Sequence, residues 1–412
     1  MTDAAVPRLE TRAVPLGEAF DLLAAYRPPQ GAFFERRGYG VAGMFGQPFG
    51  FEGPSELLHV LRAALRSGRD VAPVAIGGMG FGPEGSSLRG LMIPGRAVRR
   101  DHGGQTWRLD TLDRESEAGE QPPFEPVVGS VAHEPFADFQ LREVPPADAY
   151  EFAVGEAVAM IRRGEMRKVV LARTIEVTAE RELDPRLLAG RLRAVDPDAY
   201  TFAVPTADGV LVGASPELLV ARRGREVRSN PLAGSAPRSG DPEEDRANAD
   251  ALIGSSKEQE EHVIVVDAVA ETLRPFCEGL RWDPEPILRE TPNVWHLSTR
   301  FRGALRDPAP TALDLVAALH PTPAVAGEPR EAALATIAEL EPFERGGYAG
   351  PVGWVDAEGD GEWAIALRCA ELRGQRAVLY AGAGIVADSD PSRELGETER
   401  KFRAFLDALR WG

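Results

Sequence analysis

The fold class is decided by residues 350–386, GPVGWVDAEGDGEWAIALRCAELRGQRAVLYAGAGIV. This stretch contains three apolar β-type runs, which the polar segments DAEGDG and RGQ separate. Short glycine-containing turns between such runs are typical of an antiparallel meander. Long helices lie elsewhere in the chain, and strands and helices do not alternate strictly. The sequence therefore predicts an α+β fold in one large unit of α/β type, with antiparallel β-sheets flanked by helices.

Helices are predicted on both sides of this meander. Towards the C-terminus, Asp390-Pro391 begins a helix whose buried face carries Leu395, Phe402, Phe405 and Leu409. Upstream, Asp241 suits an N-cap and Pro242 the first helical position, so a long helix is predicted from residue 241 to about residue 273. The other predicted elements are a helix at residues 150–161, a strand at 167–174, two strands within 198–223, a strand within 292–305 and a helix at 331–340.

Composition and charge restrict the function classes. The 412 residues are 43% hydrophobic and carry a formal net charge of −17, which argues against nucleic-acid binding. No secretory leader and no apolar stretch of membrane-spanning length is recognisable, so a cytoplasmic protein without membrane contact is expected. The two cysteines, Cys277 and Cys369, indicate neither a disulfide framework nor a zinc site. An anion bound by this acidic chain would need positive charge supplied locally.

A boundary is predicted in the proline-rich and acidic stretch at residues 120–129, which continues to Pro145-Pro146. It separates residues 1–140, which are rich in short β-type runs, from residues 145–408. Neither a repeat nor a long polar linker is visible between the two parts. We therefore expect the N-terminal part to complete the same fold.

Two helices each carry a pair of glutamates three residues apart, Glu258 with Glu261 and Glu394 with Glu397. Because three residues are close to one helical turn, each pair presents both carboxylates to one side. Hard oxygen ligands suit Mg²⁺, although either pair alone is more often a solvated helix face. His262 would allow a softer metal, but without a second histidine at ligand spacing Mg²⁺ is favoured.

Lys168 begins a predicted strand, and Glu217 follows a Gly-Ala-Ser-Pro turn. Most lysines beside a strand extend into water, but a buried neutral lysine could act as a general base. Glycines at Gly234, Gly382 and Gly384 could let the backbone approach an anion.

Read together, these segments resemble the chorismate-utilising enzymes, which include isochorismate synthases, salicylate synthases and the chorismate subunits of anthranilate synthases. The motifs that carry the resemblance occur in the family's order between residues 145 and 408: KVVLART, GASPELL, PLAGSAPR, SSKEQEEH, HPTPAVAG, IAELEPFERGGYAGPVGW, ALRCAEL, AGAGIV and ELGETERK. The resemblance implies antiparallel sheets and flanking helices around a deep cleft.

The resemblance also implies a role for each matching residue. Lys168 would be the general base and Glu217 the general acid, and burial favours the uncharged form of both. Glu261 and Glu397 would bind Mg²⁺ directly, while Glu258 and Glu394 would support it through water. Because four glutamates repel an anionic substrate, an absolute Mg²⁺ requirement is expected. The residues implied to hold the substrate are Gly234, Ser235, Tyr348, Arg368, Gly382, Gly384 and Lys401, with His296 lining the cleft.

Three features favour isochorismate synthases within the family. Lysine stands at position 168, where the resemblance to anthranilate synthases implies glutamine; HPTPAVAG replaces the PIKG-like segment of aminodeoxychorismate synthases; and Ala324 stands where salicylate synthases carry threonine. The expected reaction is water attack at C2 of chorismate with loss of the C4 hydroxyl, for siderophore or menaquinone biosynthesis. A salicylate synthase and a non-catalytic anion-binding protein remain alternatives. No amidotransferase subunit is expected, and a monomer is favoured.

Overall fold

The computed structural model describes residues 9–17, 20–44, 54–63, 65–68, 71–82, 90–113 and 138–410. The predicted boundary at residues 120–129 lies outside this part of the chain. The described helices are α1 (Pro54–Ala63), α2 (Ala147–Arg162), α3 (Pro185–Val195), α4 (Pro242–Gly254), α5 (Ser256–Leu273), α6 (Ala312–Leu319), α7 (Arg330–Leu340) and α8 (Pro391–Arg410).

The described strands form three sheets. They are β1 (Leu9–Leu16), β2 (Gly31–Arg36), β3 (Tyr39–Met44), β4 (Leu65–Gly68), β5 (Val74–Gly78), β6 (Leu91–Met92), β7 (Arg96–Arg100), β8 (Thr106–Asp113), β9 (Phe139–Val144), β10 (Lys168–Ala179), β11 (Tyr200–Pro205), β12 (Val210–Ser215), β13 (Leu218–Arg223), β14 (Glu226–Asn230), β15 (Leu232–Pro237), β16 (Cys277–Trp282), β17 (Ile287–Glu290), β18 (Val294–Ser298), β19 (Phe301–Leu305), β20 (Gly327–Glu328), β21 (Pro351–Asp356), β22 (Gly361–Ile365), β23 (Cys369–Arg373) and β24 (Arg376–Ile385).

A 13-stranded sheet has the order β20-β10-β24-β23-β12-β11-β2-β3-β7-β8-β1-β4, with β9 also pairing with β10. An eight-stranded sheet has the order β16-β19-β14-β13-β22-β21-β5-β6, and a small sheet has the order β15-β18-β17. Among the described strands, only β1 and β4 pair in parallel. Both large sheets contain strands from before and after residue 140. The predicted antiparallel sheets with flanking helices are confirmed.

The predicted meander of three strands is wrong in one respect, because its middle run forms two strands. β22 belongs to the eight-stranded sheet and β23 to the 13-stranded sheet. The chain changes sheets at residues 366–368, where Arg368 has a φ of 49°. Two further runs are divided in the same way. Residues 198–223 form three strands with a change of sheet at Pro216-Glu217, and residues 292–305 form two strands with a change at Thr299-Arg300.

The long helix predicted from residue 241 to about 273 is interrupted at Ser255. Ser255 has an extended backbone, with φ −79° and ψ 114°, and its hydroxyl accepts the Glu258 N–H as the N-cap of α5. The predicted start at Asp241-Pro242 is confirmed, since the Asp241 carboxylate accepts the N–H groups of Glu243 and Glu244. Because the chain is extended at Ser255, α5 does not continue α4, and it packs against β15 as a separate helix.

Helix α8 begins at Pro391, as predicted, and packs against β24, α2 and α3. Phe402, Phe405 and Leu409 are buried, while Leu395 is half-buried. Glu394 is only 1% exposed, although the sequence places it in a polar first turn. Helix α8 therefore buries a carboxylate as well as its apolar face.

We expect Ser255→Ala to lower the free energy of unfolding by about 1 kcal/mol, because it removes the N-cap of α5. The measurement is equilibrium denaturation in urea. Ser256→Ala is the matched control, since Ser256 lies inside α5 and does not cap it. Equal stability of the two variants would show that the Ser255 hydroxyl does not stabilise the break.

Candidate active site

A cavity lies where the chain passes between the sheets, with α5 and α8 beside it. Most of the predicted site residues line this cavity. They are Glu217, Gly234, Ser235, Glu261, His296, Ala324, Tyr348, Arg368, Gly382, Gly384, Glu397 and Lys401. Lys168 contacts the cavity-lining Glu261, whereas Glu258 and Glu394 line an adjoining pocket that shares Ser235 and Glu397. The structure thus gathers residues that lie more than 200 positions apart.

Glu217 lies in the two-residue passage between β12 and β13, where the chain changes sheets. Its N–H donates to the Ser215 hydroxyl at 3.2 Å, and the residue is only 3% exposed. Burial raises the pKa of Glu217 to about 7, although the Leu232 N–H and the positive charge of Lys168 oppose the shift. A carboxyl group with such a pKa can donate a proton near neutral pH.

Lys168 is fully buried at the start of β10. Its Nζ lies 3.0 Å from Glu261 Oε1 and has no other partner among the described residues. A Cβ on Gly384 of β24 would come within 2.0 Å of Glu261 Oε1 and 3.0 Å of Lys168 Cε. Gly384 therefore leaves room for this buried ion pair, and it also lines the cavity.

Arg368 reaches the cavity from the passage between β22 and β23. Burial and then the charge of Arg368 lower the pKa of His296 to about 3, so the imidazole is neutral. Its Nε2 accepts from Arg368 Nη2 at 3.0 Å, and this assigns the proton to Nδ1, which faces the Gly234 carbonyl oxygen at 3.3 Å. His296 thus holds Arg368 in place through an uncharged acceptor.

Lys401 lies one turn after Glu397 on α8 and pairs with its carboxylate. The amine also donates to the Gly382 carbonyl oxygen at 2.7 Å. Burial alone would raise the pKa of Glu397, but Lys401 outweighs it and lowers the value to about 2. Beside them, Tyr348 is buried and stacks on Tyr380 at a centroid distance of 5.1 Å.

The first glutamates of the two helix pairs, Glu258 and Glu394, are bridged by a lysine that the sequence interpretation missed. Lys257 Nζ lies 3.0 Å from Glu258 Oε1 and 2.7 Å from Glu394 Oε1, and so joins α5 to α8. Glu258 also accepts the Ser235 N–H at 2.9 Å. Burial and the neighbouring Glu397 raise the pKa of Glu394 to about 7. The only available signal was the position of Lys257 beside Glu258 in SSKEQEEH.

The four glutamates fit a divalent cation in their chemistry, because all of their donors are hard oxygens. The ammonium group that lies between Glu258 and Glu394 shows that this place accepts a positive charge. Among the described residues, however, no three carboxylate, histidine or cysteine side chains form a preassembled metal-binding group. His262 offers no free ligand, since its ring nitrogens contact the Ala233 carbonyl oxygen and the Thr299 hydroxyl.

The sequence interpretation also missed the apolar walls of the cavity. Val170, Leu232, Val325 and Leu367 line it between the charged groups. Apolar residues in strands carry no signal of their own in a sequence, because core residues have the same composition. Together with Tyr348 they form surfaces for a carbon ring, and these surfaces lie between the charged residues.

A family model described as chorismate binding enzyme matches residues 125–410. The chain belongs to the chorismate-binding enzyme family. The family resemblance of the sequence motifs is thereby confirmed. None of the described helices combines the length and the apolar character needed to cross a membrane.

Relatives with named activities are similar over most of the chain. Isochorismate synthase DhbC of Bacillus subtilis is 46% identical over 278 residues, which are 66% of this chain and 70% of that protein. Isochorismate synthase EntC of Escherichia coli K12 is 44% identical over 267 residues, 65% of this chain and 68% of that protein. The structure of MenF, the menaquinone-specific isochorismate synthase of Escherichia coli, superposes with a TM-score of 0.81 at 25% identity, covering 98% of this chain and 95% of that one.

We expect Gly384→Ala to lower the free energy of unfolding by about 1–3 kcal/mol, because the added methyl group overlaps the Glu261 carboxylate. Thermal and urea unfolding measure this change. Gly155→Ala in α2 is the control, since a Cβ there meets nothing within 4 Å and alanine favours the helix. If Gly384→Ala is as stable as Gly155→Ala, the contact with Glu261 does not constrain position 384.

Proposed function

We propose that this enzyme is an isochorismate synthase, which converts chorismate to isochorismate with Mg²⁺. The observation that carries the proposal is the single cavity in which Glu217, with a pKa of about 7, and the Lys168–Glu261 pair meet the cations Arg368 and Lys401. Two relatives, which are 46% and 44% identical to this chain, are named isochorismate synthase. We further propose that residues 145–408 form the catalytic region and that residues 1–140 complete its fold.

Substrate binding follows from the charges around the cavity. Chorismate has two carboxylates, and a chain of net charge −17 must neutralise them locally. Arg368, fixed by His296, can form a charge-assisted hydrogen bond to one carboxylate, and Lys401 adds a second positive charge. The apolar walls and the Tyr348 ring would contact the carbon ring. Backbone groups at Gly234, Ser235 and Gly382 would complete the binding surface.

Mg²⁺ would be held by Glu261 and Glu397, with Glu258 and Glu394 supporting it through water. When bound, Mg²⁺ supplies positive charge that offsets a substrate carboxylate. Lys257 and Lys401 already balance part of the negative charge of the two helices. The remaining carboxylate charge makes substrate binding unfavourable without the cation, and we therefore expect strict dependence on it.

The proposed chemistry uses Lys168 and Glu217 on the reacting atoms. Neutral Lys168 takes a proton from a water molecule as its oxygen forms a bond to C2. The ring double bonds shift, the C4–O bond breaks, and protonated Glu217 gives its proton to the departing hydroxyl. One water enters and one water leaves, so atoms and charge balance. Burial favours the uncharged, proton-donating form of Glu217, whereas Lys168, which pairs with Glu261 in this structure, acts as the base only after it has lost its proton.

Release of isochorismate rather than salicylate is proposed from Ala324, which lines the cavity as a small apolar side chain. We propose that the enzyme acts in the cytoplasm as a monomer. It needs no amidotransferase subunit, because the nucleophile is water and not ammonia. Relatives are named for menaquinone and for vibriobactin biosynthesis, so the product would supply menaquinone or a siderophore.

The direct test incubates the purified enzyme with chorismate and Mg²⁺ and separates isochorismate, salicylate and pyruvate. We expect isochorismate alone from the native enzyme, and a loss of turnover by roughly 10²–10⁴-fold in Lys168→Ala. Chorismate binding to this variant should remain measurable by calorimetry. Arg167→Ala, an exposed neighbour, is the control. Salicylate with pyruvate would support the salicylate synthase alternative, and near-native turnover of Lys168→Ala would remove Lys168 from the mechanism.

The pH dependence tests the role of Glu217. Because its pKa is about 7 and the proton donor must be protonated, kcat/KM should fall as the pH rises above about 7. Glu217→Gln should lose most of the activity and this alkaline decline together. A native profile that stays level through the alkaline range would be incompatible with Glu217 as the acid.

A magnesium titration tests the proposed ligands. We expect Glu261→Ala to raise the Mg²⁺ concentration for half-maximal activity by roughly 10–100-fold, because a direct oxygen ligand is lost. Glu260→Ala, which changes the charge equally at an exposed position of α5, should leave the titration unchanged. Identical titrations for both variants would place the cation elsewhere.

A further inference from the structure

A second cavity lies where β3 and β7 of the 13-stranded sheet face β13, β14, β21 and β22 of the eight-stranded sheet. We call it the arginine cavity, because Arg99, Arg100, Arg222, Arg223 and Arg228 line it. Among the described residues, none lines both this cavity and the candidate active site. Its interpretation is therefore independent of the proposed function.

The carboxylates that line the arginine cavity are already engaged by groups of the protein. Asp360 accepts hydrogen bonds from Arg222 Nη1 and the Gly224 N–H, both at 2.8 Å. Asp101 accepts the N–H groups of its own turn, at Gly103 and Gln105. Glu362 accepts from the Tyr200 hydroxyl at 3.0 Å. These acids leave part of the arginine charge uncompensated.

Several donors at the cavity wall lack an acceptor. The side chain of Arg223 is exposed and makes no hydrogen bond or ion pair with another described residue. The carboxylate nearest to Arg228 Nε is that of Glu226, at 3.9 Å. The Arg222 side chain is only 10% exposed, and its buried Nε has no hydrogen-bond partner in the described part of the chain. The same is true of the Trp354 indole N–H. Both of these nitrogen atoms are fully buried, so the accessible donors at this wall are the side chains of Arg223 and Arg228.

The electrostatics of His102 agree with this arrangement. His102 lines the cavity and stacks on Tyr39 at a centroid distance of 4.9 Å. Burial lowers its pKa, the carboxylate of Glu362 opposes the shift, and the charges of Arg228 and Arg223 lower it further. The guanidinium groups of Arg228 and Arg223 are thus close enough to His102 to act on its charge, against the opposite effect of Glu362 and Asp101.

We propose that the arginine cavity is a binding site for a small metabolite that carries a carboxylate or phosphate group. The accessible side chains of Arg223 and Arg228 provide charge-assisted hydrogen bonds to the oxyanion. The ring of Trp354, over which Arg99 lies at 4.5 Å, and the Tyr39–His102 pair give the cavity aromatic sides. The ligand is thus a second anion, separate from the substrate.

Calorimetric titration of the full chain with inorganic phosphate and, separately, with benzoate tests the proposal at constant ionic strength. We expect saturable binding of at least one of them and a loss of affinity of roughly tenfold or more in R223A/R228A. The control R142A/R163A removes two exposed surface arginines and should bind as the native chain does. Arg368→Ala should also leave this binding unchanged, because Arg368 does not line the arginine cavity.

The two probes distinguish the source of the oxyanion. Binding of phosphate alone indicates a phosphate ester, and binding of benzoate alone indicates an aromatic acid; both outcomes support the site. The proposal is overturned if neither probe binds saturably. It is also overturned if R223A/R228A binds as tightly as the control, or if Arg368→Ala rather than the arginine pair abolishes binding.

Discussion

The buried ion pair between Lys168 and Glu261 is the interaction on which the candidate active site depends. A charged pair taken out of water is tolerated only when its geometry is fixed on every side. Here β10 supplies the lysine, α5 supplies the glutamate, and Gly384 of β24 leaves the space between them. Because β10 and β24 form a long antiparallel pair, the sheet itself holds this geometry.

The remaining polar groups lie where regular structure ends. Glu217 and Arg368 stand in two of the short passages that connect the large sheets, and the break at Ser255 sets the direction of α5. Backbone at such positions is released from sheet pairing, so a side chain there can face a cavity instead of a strand neighbour. Each of the three interruptions therefore positions a group that lines the same cavity.

Much of this could be predicted from the sequence, and the reasons for the failures are physical. The caps at Asp241 and Asp390-Pro391 mark helix starts by local chemistry, so they were predicted correctly. The change of sheet at residues 366–368 was not predicted, because the apolar run continues through Leu367 without a turn signal. Lys257 was missed because its partner Glu394 lies 137 positions away. The arginine cavity is formed by strands of both large sheets, and no local sequence pattern predicts it.

We propose that this cavity places a water molecule against one ring carbon of chorismate, while a buried carboxylic acid protonates the hydroxyl that leaves another ring carbon. The most direct measurement is the reaction of chorismate in water enriched in heavy oxygen, followed by mass spectrometry of the product. We expect isochorismate that carries one labelled oxygen in its ring hydroxyl. Isochorismate without the label would contradict the proposal, because the hydroxyl would then have come from the substrate and not from a water that Lys168 activates.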